Sequence, residues 1–145
     1  MRKHRILFLC TGNACRSQMA EGWARFMKPD LIEPFSAGTE PKGLDPLAVL
    51  VMAEAGVDIS GYRSKPLDEF KDAEFDFVIT VCDAANEACP VFRGKAKRIH
   101  REFDDPPKLA AAARTPEEAL GHYRRVRDEI RAFVFAMPGN LADSD

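Results

Sequence analysis

The sequence is poor in the features that mark membrane, nucleic-acid and metal-binding proteins. No apolar run approaches the ~20 residues that cross a bilayer. The stretch Ile6 to Cys10 is too short even for a secretory leader. The expectation is a cytoplasmic protein without membrane contact. Net charge is only −2, with 21 basic against 23 acidic side chains, so no global field attracts nucleic acid. Histidine is scarce, and His4, His100 and His122 are scattered. No Cys-x2-Cys pair accompanies them, so neither a metal nor a cofactor is expected. Repeats, low-complexity blocks and linkers are absent, which leaves one domain spanning 1–145 and, by default, a monomer.

Strand and helix signals alternate along the chain. Ile6–Leu9 and Phe75–Val81 are apolar runs of the kind found in buried parallel strands, and Ile32–Ser36 and Ala96–Phe103 are weaker strand candidates. A helix is expected from Ser17 to Met27, burying Met19, Ala20, Trp23, Phe26 and Met27 and ending at Lys28-Pro29. Asp45-Pro46 reads as an N-cap followed by proline at the first helical position, with Gly56 as the stop. A short helical piece is expected near Pro66–Phe70. Thr115-Pro116-Glu117-Glu118 opens a last helix carrying Leu120, Tyr123, Val126, Ile130, Phe133, Val134 and Met137 on one face. Asn140–Asp145 reads as a frayed tail. The fold class is therefore α/β, a single four-stranded parallel sheet flanked by helices. Ligands of such sheets bind beyond the carboxyl ends of the strands. Cys10 ends the first strand and Cys82 follows the Phe75–Val81 strand, so both fall on that edge.

Between the first strand and the first helix runs Cys10-Thr11-Gly12-Asn13-Ala14-Cys15-Arg16-Ser17. Backbone N–H groups at such a turn form a cradle for an oxyanion, and Gly12 and Asn13 tolerate the positive φ such loops use. A helix N-terminus and Arg16 both favour a Cys10 thiolate, lowering its pKa below the usual thiol value. The planar fork of Arg16 can clamp two oxygens of a tetrahedral anion. The Ser17 hydroxyl can donate to the Cys10 sulfur. Cys15 reads as a buried, dispensable thiol.

The loop Cys10–Ser17 resembles the signature of the low-molecular-weight tyrosine phosphatases and of the arsenate reductases related to them. The resemblance extends through Phe35-Ser36-Ala37-Gly38-Thr39, Gly56-Val57-Asp58-Ile59-Ser60 and Asp104-Asp105-Pro106. It implies that fold, with Asn13 and Ser36 fixing the loop and Asp105, the acid directly before proline, as general acid. Some family members hold potassium near Asn13, Glu21 and Ser36, completed by an acid near position 65. Lys65 stands there in this chain. Its ammonium could replace the ion by pairing with Glu21.

A phosphatase needs one cysteine, whereas reducing arsenate takes two electrons, which thiols supply by forming a disulfide. The segment Cys82-Asp83-Ala84-Ala85-Asn86-Glu87-Ala88-Cys89-Pro90 resembles the redox segment of thioredoxin-coupled arsenate reductases. The wording from Cys10 through Gly22 resembles them too. Pro107 replaces the tyrosine that usually walls the aryl pocket of the phosphatases. The resemblance implies a relay: Cys10 attacks arsenic, Cys82 attacks Cys10, Cys89 attacks Cys82, and thioredoxin reduces the last disulfide. If Asp83–Cys89 is helical, a rise of 1.5 Å per residue sets the Cys82 and Cys89 Cα atoms roughly 10 Å apart. A disulfide requires less than about 7 Å, so oxidation must unwind the segment. A tyrosine phosphatase, with Cys82 and Cys89 incidental, is the enzyme-class alternative. An oxyanion-binding or redox-sensing module without turnover is the non-enzymatic one.

Overall fold

Ile6, Leu7, Phe8 and Leu9 are wholly enclosed, a state a strand reaches only when paired on both edges and covered on both faces. The computed structural model, which describes residues 2–82 and 96–141, places them at the middle of the sheet. The strands β1 (His4–Cys10), β2 (Ile32–Gly38), β3 (Phe77–Thr80) and β4 (Lys97–His100) are all parallel, in spatial order β2-β1-β3-β4. Strand order reverses between β1 and β3, which opens a crevice at their carboxyl ends. Cys10 pairs with Gly38 of β2 there, and Cys82 lies just past the end of β3.

The helices are α1 (Arg16–Met27), α2 (Pro46–Glu54), α3 (Pro106–Ala111) and α4 (Pro116–Phe135), with short 3-10 turns at Leu67–Phe70 and Gly139–Leu141. Helix α1 packs against α4, which also meets α2 and α3. The Asp45 side chain accepts from Leu47 N at 2.9 Å to start α2. At the other end Gly56, with φ +87°, makes a Schellman turn: Val57 N donates to Met52 O and Gly56 N to Ala53 O. Thr115 Oγ1 accepts from Glu118 N at 3.0 Å, while the Glu118 carboxylate reaches Arg114 N, one residue beyond the capping-box partner. Among the described residues no helix is long and apolar enough to cross a membrane.

Several boundaries differ from the sequence reading. The third strand is shorter than Phe75–Val81, because Phe75 leaves the ladder to stack edge-on against Phe35 and Phe70. The fourth is Lys97–His100 rather than Ala96–Phe103. Phe26 does not belong to the buried face of α1; it is 58% exposed, with its edge toward Trp23. The tail is not frayed up to Leu141, which is buried in the core. Helix α3 is not among the elements expected above, because two consecutive prolines weaken a helix signal. Proline is tolerated in a first helical turn, and an alanine run follows.

Candidate active site

The loop from Cys10 to Cys15 has its carbonyls committed elsewhere. Cys10 O accepts from Thr39 N, Thr11 O from Glu40 N, Gly12 O from Lys42 N, Ala14 O from Asp45 N and Cys15 O from Met19 N, at 2.8–3.2 Å. Gly12 O also takes the Ser64 hydroxyl, and Asn13 O takes Gln18 Nε2. Among the described residues no backbone N–H from Gly12 to Ser17 donates to a backbone carbonyl. The donors are left for a ligand, and they lie at the N-terminus of α1, where the helix dipole favours negative charge. The Cys15 side chain makes no cap at that end.

The curvature of the loop depends on Asn13. Its φ of 46° lies in the left-handed region that asparagine tolerates. Gly12, expected to share that role, does not adopt positive φ. Asn13 is fully buried: Nδ2 donates to Ser17 Oγ at 2.8 Å, and Oδ1 accepts from Lys65 N at 2.8 Å and Gln18 Nε2 at 3.1 Å. The expected Ser17 bond to the Cys10 sulfur is absent from the described contacts, where the Ser17 hydroxyl instead serves as Asn13's acceptor. A second buried network adjoins it: Ser36 Oγ donates to Glu21 Oε1 at 2.6 Å. Lys65 Nζ lies 3.4 Å from Ser36 Oγ and 3.9 Å from Glu21 Oε1, and donates to Arg63 O at 2.7 Å. Lys65 thus occupies the neighbourhood in which the resemblance placed a potassium ion.

The sulfurs of Cys10 and Cys82 are 3.7 Å apart, although 72 residues separate them, and Thr11 Oγ1 is 3.3 Å from Cys82 Sγ. Both cysteines are buried and unoxidised. Arg16 reaches over the loop, with NH1 on Phe103 O at 2.9 Å and NH2 3.7 Å from Asp105 Oδ1. Asp105 stands at the N-cap of α3, whereas the Asp104 carboxylate accepts from Arg125 at 2.9 Å. Cys10, Cys15, Cys82, Arg16, Asp105 and Lys42 line one cavity of about 390 Å³, with Thr11, Gly12, Ala14 and Pro107 completing its wall.

The electrostatics depart from the sequence expectation. Arg16 pulls the Cys10 pKa down, as expected, and so does the Thr11 N–H. The neighbouring Cys82 thiol and burial outweigh them, so resting Cys10 is held well above the ordinary thiol range. Burial also pushes the Cys15 thiol up, with Asp45 adding to it. Cys89 and the expected Asp83–Cys89 helix lie outside the described residues. Sequence reasoning passed over Lys42, the carbonyl-binding segment 39–45 and the role of Gln18. Of these only Gln18, set among the quoted α1 residues, carried any local signal.

The sequence profile described as low molecular weight phosphotyrosine protein phosphatase matches residues 5–141. An arsenate reductase of Halalkalibacterium halodurans is 45% identical over 141 residues, covering 96% of this chain and 99% of that protein. One of Bacillus subtilis is 48% identical over 125 residues, covering 86% and 88%. Among solved structures, a thioredoxin-dependent arsenate reductase of Corynebacterium glutamicum superposes with a TM-score of 0.71 at 25% identity, covering 100% of this chain and 64% of that one.

Proposed function

Because the chain belongs to the low molecular weight phosphotyrosine protein phosphatase family and resembles its arsenate reductases at 45% and 48% identity, we propose that it reduces arsenate to arsenite. Cys10, Cys82 and Cys89 form the relay, and thioredoxin is the final reductant of this cytoplasmic, monomeric enzyme. The observation that carries the reading is the 3.7 Å between the Cys10 and Cys82 sulfurs at the floor of an anion cradle. A disulfide is ~2.05 Å long, so closure moves the sulfurs by less than about 2 Å. A phosphatase would leave that contact idle.

Arsenate fits the free N–H groups from Gly12 to Ser17, with the Arg16 fork on its oxygens. The Cys10 proton passes to an arsenate oxygen, which resolves the raised thiol pKa at the moment of binding. The thiolate attacks arsenic, and a hydroxyl leaves as water with a proton from Asp105. Cys82 then attacks the Cys10 sulfur, its thiol proton passing to an arsenic-bound oxygen. The sulfur–arsenic bond breaks, its electron pair stays on arsenic, and arsenic(V) becomes arsenic(III) as both sulfurs are oxidised to a disulfide. Cys89 displaces Cys10 from Cys82, and thioredoxin's dithiol reduces Cys82–Cys89.

The test is a coupled NADPH–thioredoxin reductase–thioredoxin assay with arsenate. The parent turns over and Cys82→Ser does not, while Cys82→Ser keeps whatever aryl-phosphate hydrolysis the parent has. NADPH consumption at parental rate by Cys82→Ser would overturn the relay. Aryl-phosphate hydrolysis without arsenate-dependent NADPH consumption in the parent would favour the phosphatase reading.

A further inference from the structure

The cavity is lined by a cation that the mechanism above does not use. Lys42 follows β2 on the segment that clasps the anion loop: Lys42 N donates to Gly12 O at 3.0 Å, next to Glu40 N on Thr11 O at 2.8 Å. Its Cβ, Cγ and Cδ all lie 3.6 Å from where a Cβ on Gly12 would stand. The stem therefore runs along the loop, fixed in register by backbone hydrogen bonds, and the residue lines the same cavity as Cys10 and Arg16. Lys42 is exposed, and no carboxylate pairs with it among the described residues.

Charge counting gives this lysine a purpose. Arg16 lies 3.7 Å from Asp105 Oδ1, so with an ionised Asp105 the pair brings no net charge to the site. With Asp105 carrying the proton it donates, Arg16 answers only one of the two charges of a doubly charged oxyanion. We propose that Lys42 is a second oxyanion-binding cation at the mouth of the cradle, selecting doubly charged tetrahedral anions over singly charged ones. The proposal rests on the oxyanion-site reading above and adds the charge class of its ligand. A freely solvated surface lysine would instead contribute equally little for every anion.

Coulomb attraction from one ammonium about 6 Å from a dianion in a water-like dielectric amounts to roughly tenfold in affinity, and for a monoanion to roughly threefold, its square root. The probes are sulfate and perchlorate, which share tetrahedral shape and differ in charge. The readout is protection of Cys10 from iodoacetamide, followed by peptide mapping, on parent, Lys42→Gln and Lys42→Arg at constant low ionic strength. Lys42→Gln should raise the protecting sulfate concentration roughly tenfold and that of perchlorate roughly threefold, Lys42→Arg should stay within about twofold of parent, and added sodium chloride should shrink the difference. If parent and Lys42→Gln are protected alike, the role of Lys42 falls and the cradle stands. Equal losses for both anions, or a loss indifferent to salt, would signal a displaced loop and also overturn it. Should neither anion protect parental Cys10, the cradle reading fails and takes the proposal with it.

Discussion

Replacing Gly38 by alanine separates the geometry of the anion loop from the stability of the fold. Gly38 ends β2 beside Cys10, and a Cβ built there would stand 2.6 Å from Thr11 O and 2.9 Å from Asn13 N. Both are backbone atoms of the loop, so no side chain can swing away to relieve the overlap. Ordinary carbon–oxygen contact begins near 3.3 Å, so the loop must give by about 0.7 Å. Overpacking of this kind costs about 1–3 kcal/mol of stability. A reactive group displaced by about 1 Å loses roughly 100-fold in rate, so kcat/KM for arsenate should drop by about one to two orders of magnitude. Gly22→Ala is the matched control. Its Cβ would meet Ile59 Cγ2 at 2.7 Å and Met52 Cε at 3.2 Å, a comparable conflict, but with side chains that do not line the cavity. Alanine returns about 1 kcal/mol of helix propensity there, which leaves a net loss of about 0–2 kcal/mol. Urea melts and the thioredoxin-coupled assay, run on both variants, decide the matter. The reasoning fails if Gly38→Ala keeps parental kcat/KM, or if Gly22→Ala loses as much activity as Gly38→Ala.

Three further outcomes can be checked, the first resting on the proposed relay and the other two on the site geometry. Cys89→Ser should stall after one turnover with Cys10 bonded to Cys82; peptide mapping that finds both thiols free after exposure to arsenate would count against the relay. With Lys65 Nζ 3.4 Å from Ser36 Oγ and 3.9 Å from Glu21 Oε1, exchanging sodium for potassium at constant ionic strength should leave kcat/KM unchanged, and a several-fold gain would refute that substitution of ammonium for ion. The Cys10 thiol is held above its ordinary value of 9.0 by Cys82 and burial, so above pH 9.0 the unfolded chain releases this proton while the native chain keeps it. Stability from this group is complete below that pH and declines above it, by up to about 1.4 kcal/mol per pH unit. Denaturant melts from pH 8 to 10 should therefore fall more steeply for the parent than for Cys10→Ser, and parallel slopes would contradict the assignment.

What the sequence disclosed was contiguous or strand-terminal. Cys10 to Ser17 is one uninterrupted loop between an apolar run and a helix, so its chemistry could be read in order. The approach of Cys82 to Cys10 followed from strand ends in a parallel sheet, because register then brings distant residues to one edge. What remained hidden was carried by backbone or by pairs. The clasp of Thr39, Glu40, Lys42 and Asp45 on the loop carbonyls uses main-chain N–H groups, which leave no residue signature. The upward pull of Cys82 on Cys10 depends on a sulfur separation, and a loop motif read alone predicts the opposite sign.

These two hidden features are linked in one physical argument. An anion cradle is a set of donors without internal partners, and buried donors stay free only when the folded chain commits the matching carbonyls elsewhere. Here that commitment comes from the segment after β2, from Ser64, and from Gln18 and Met19 of α1, not from the loop's own residues. The same segment delivers Lys42 to the rim of the cavity. The resting site is thus tuned against a bare thiolate and in favour of an incoming oxyanion. Burial and Cys82 keep Cys10 protonated until a ligand brings negative charge onto the free N–H groups and offers oxygens that can take the proton. Loss of the Cys10 proton is in this way coupled to occupancy of the cradle.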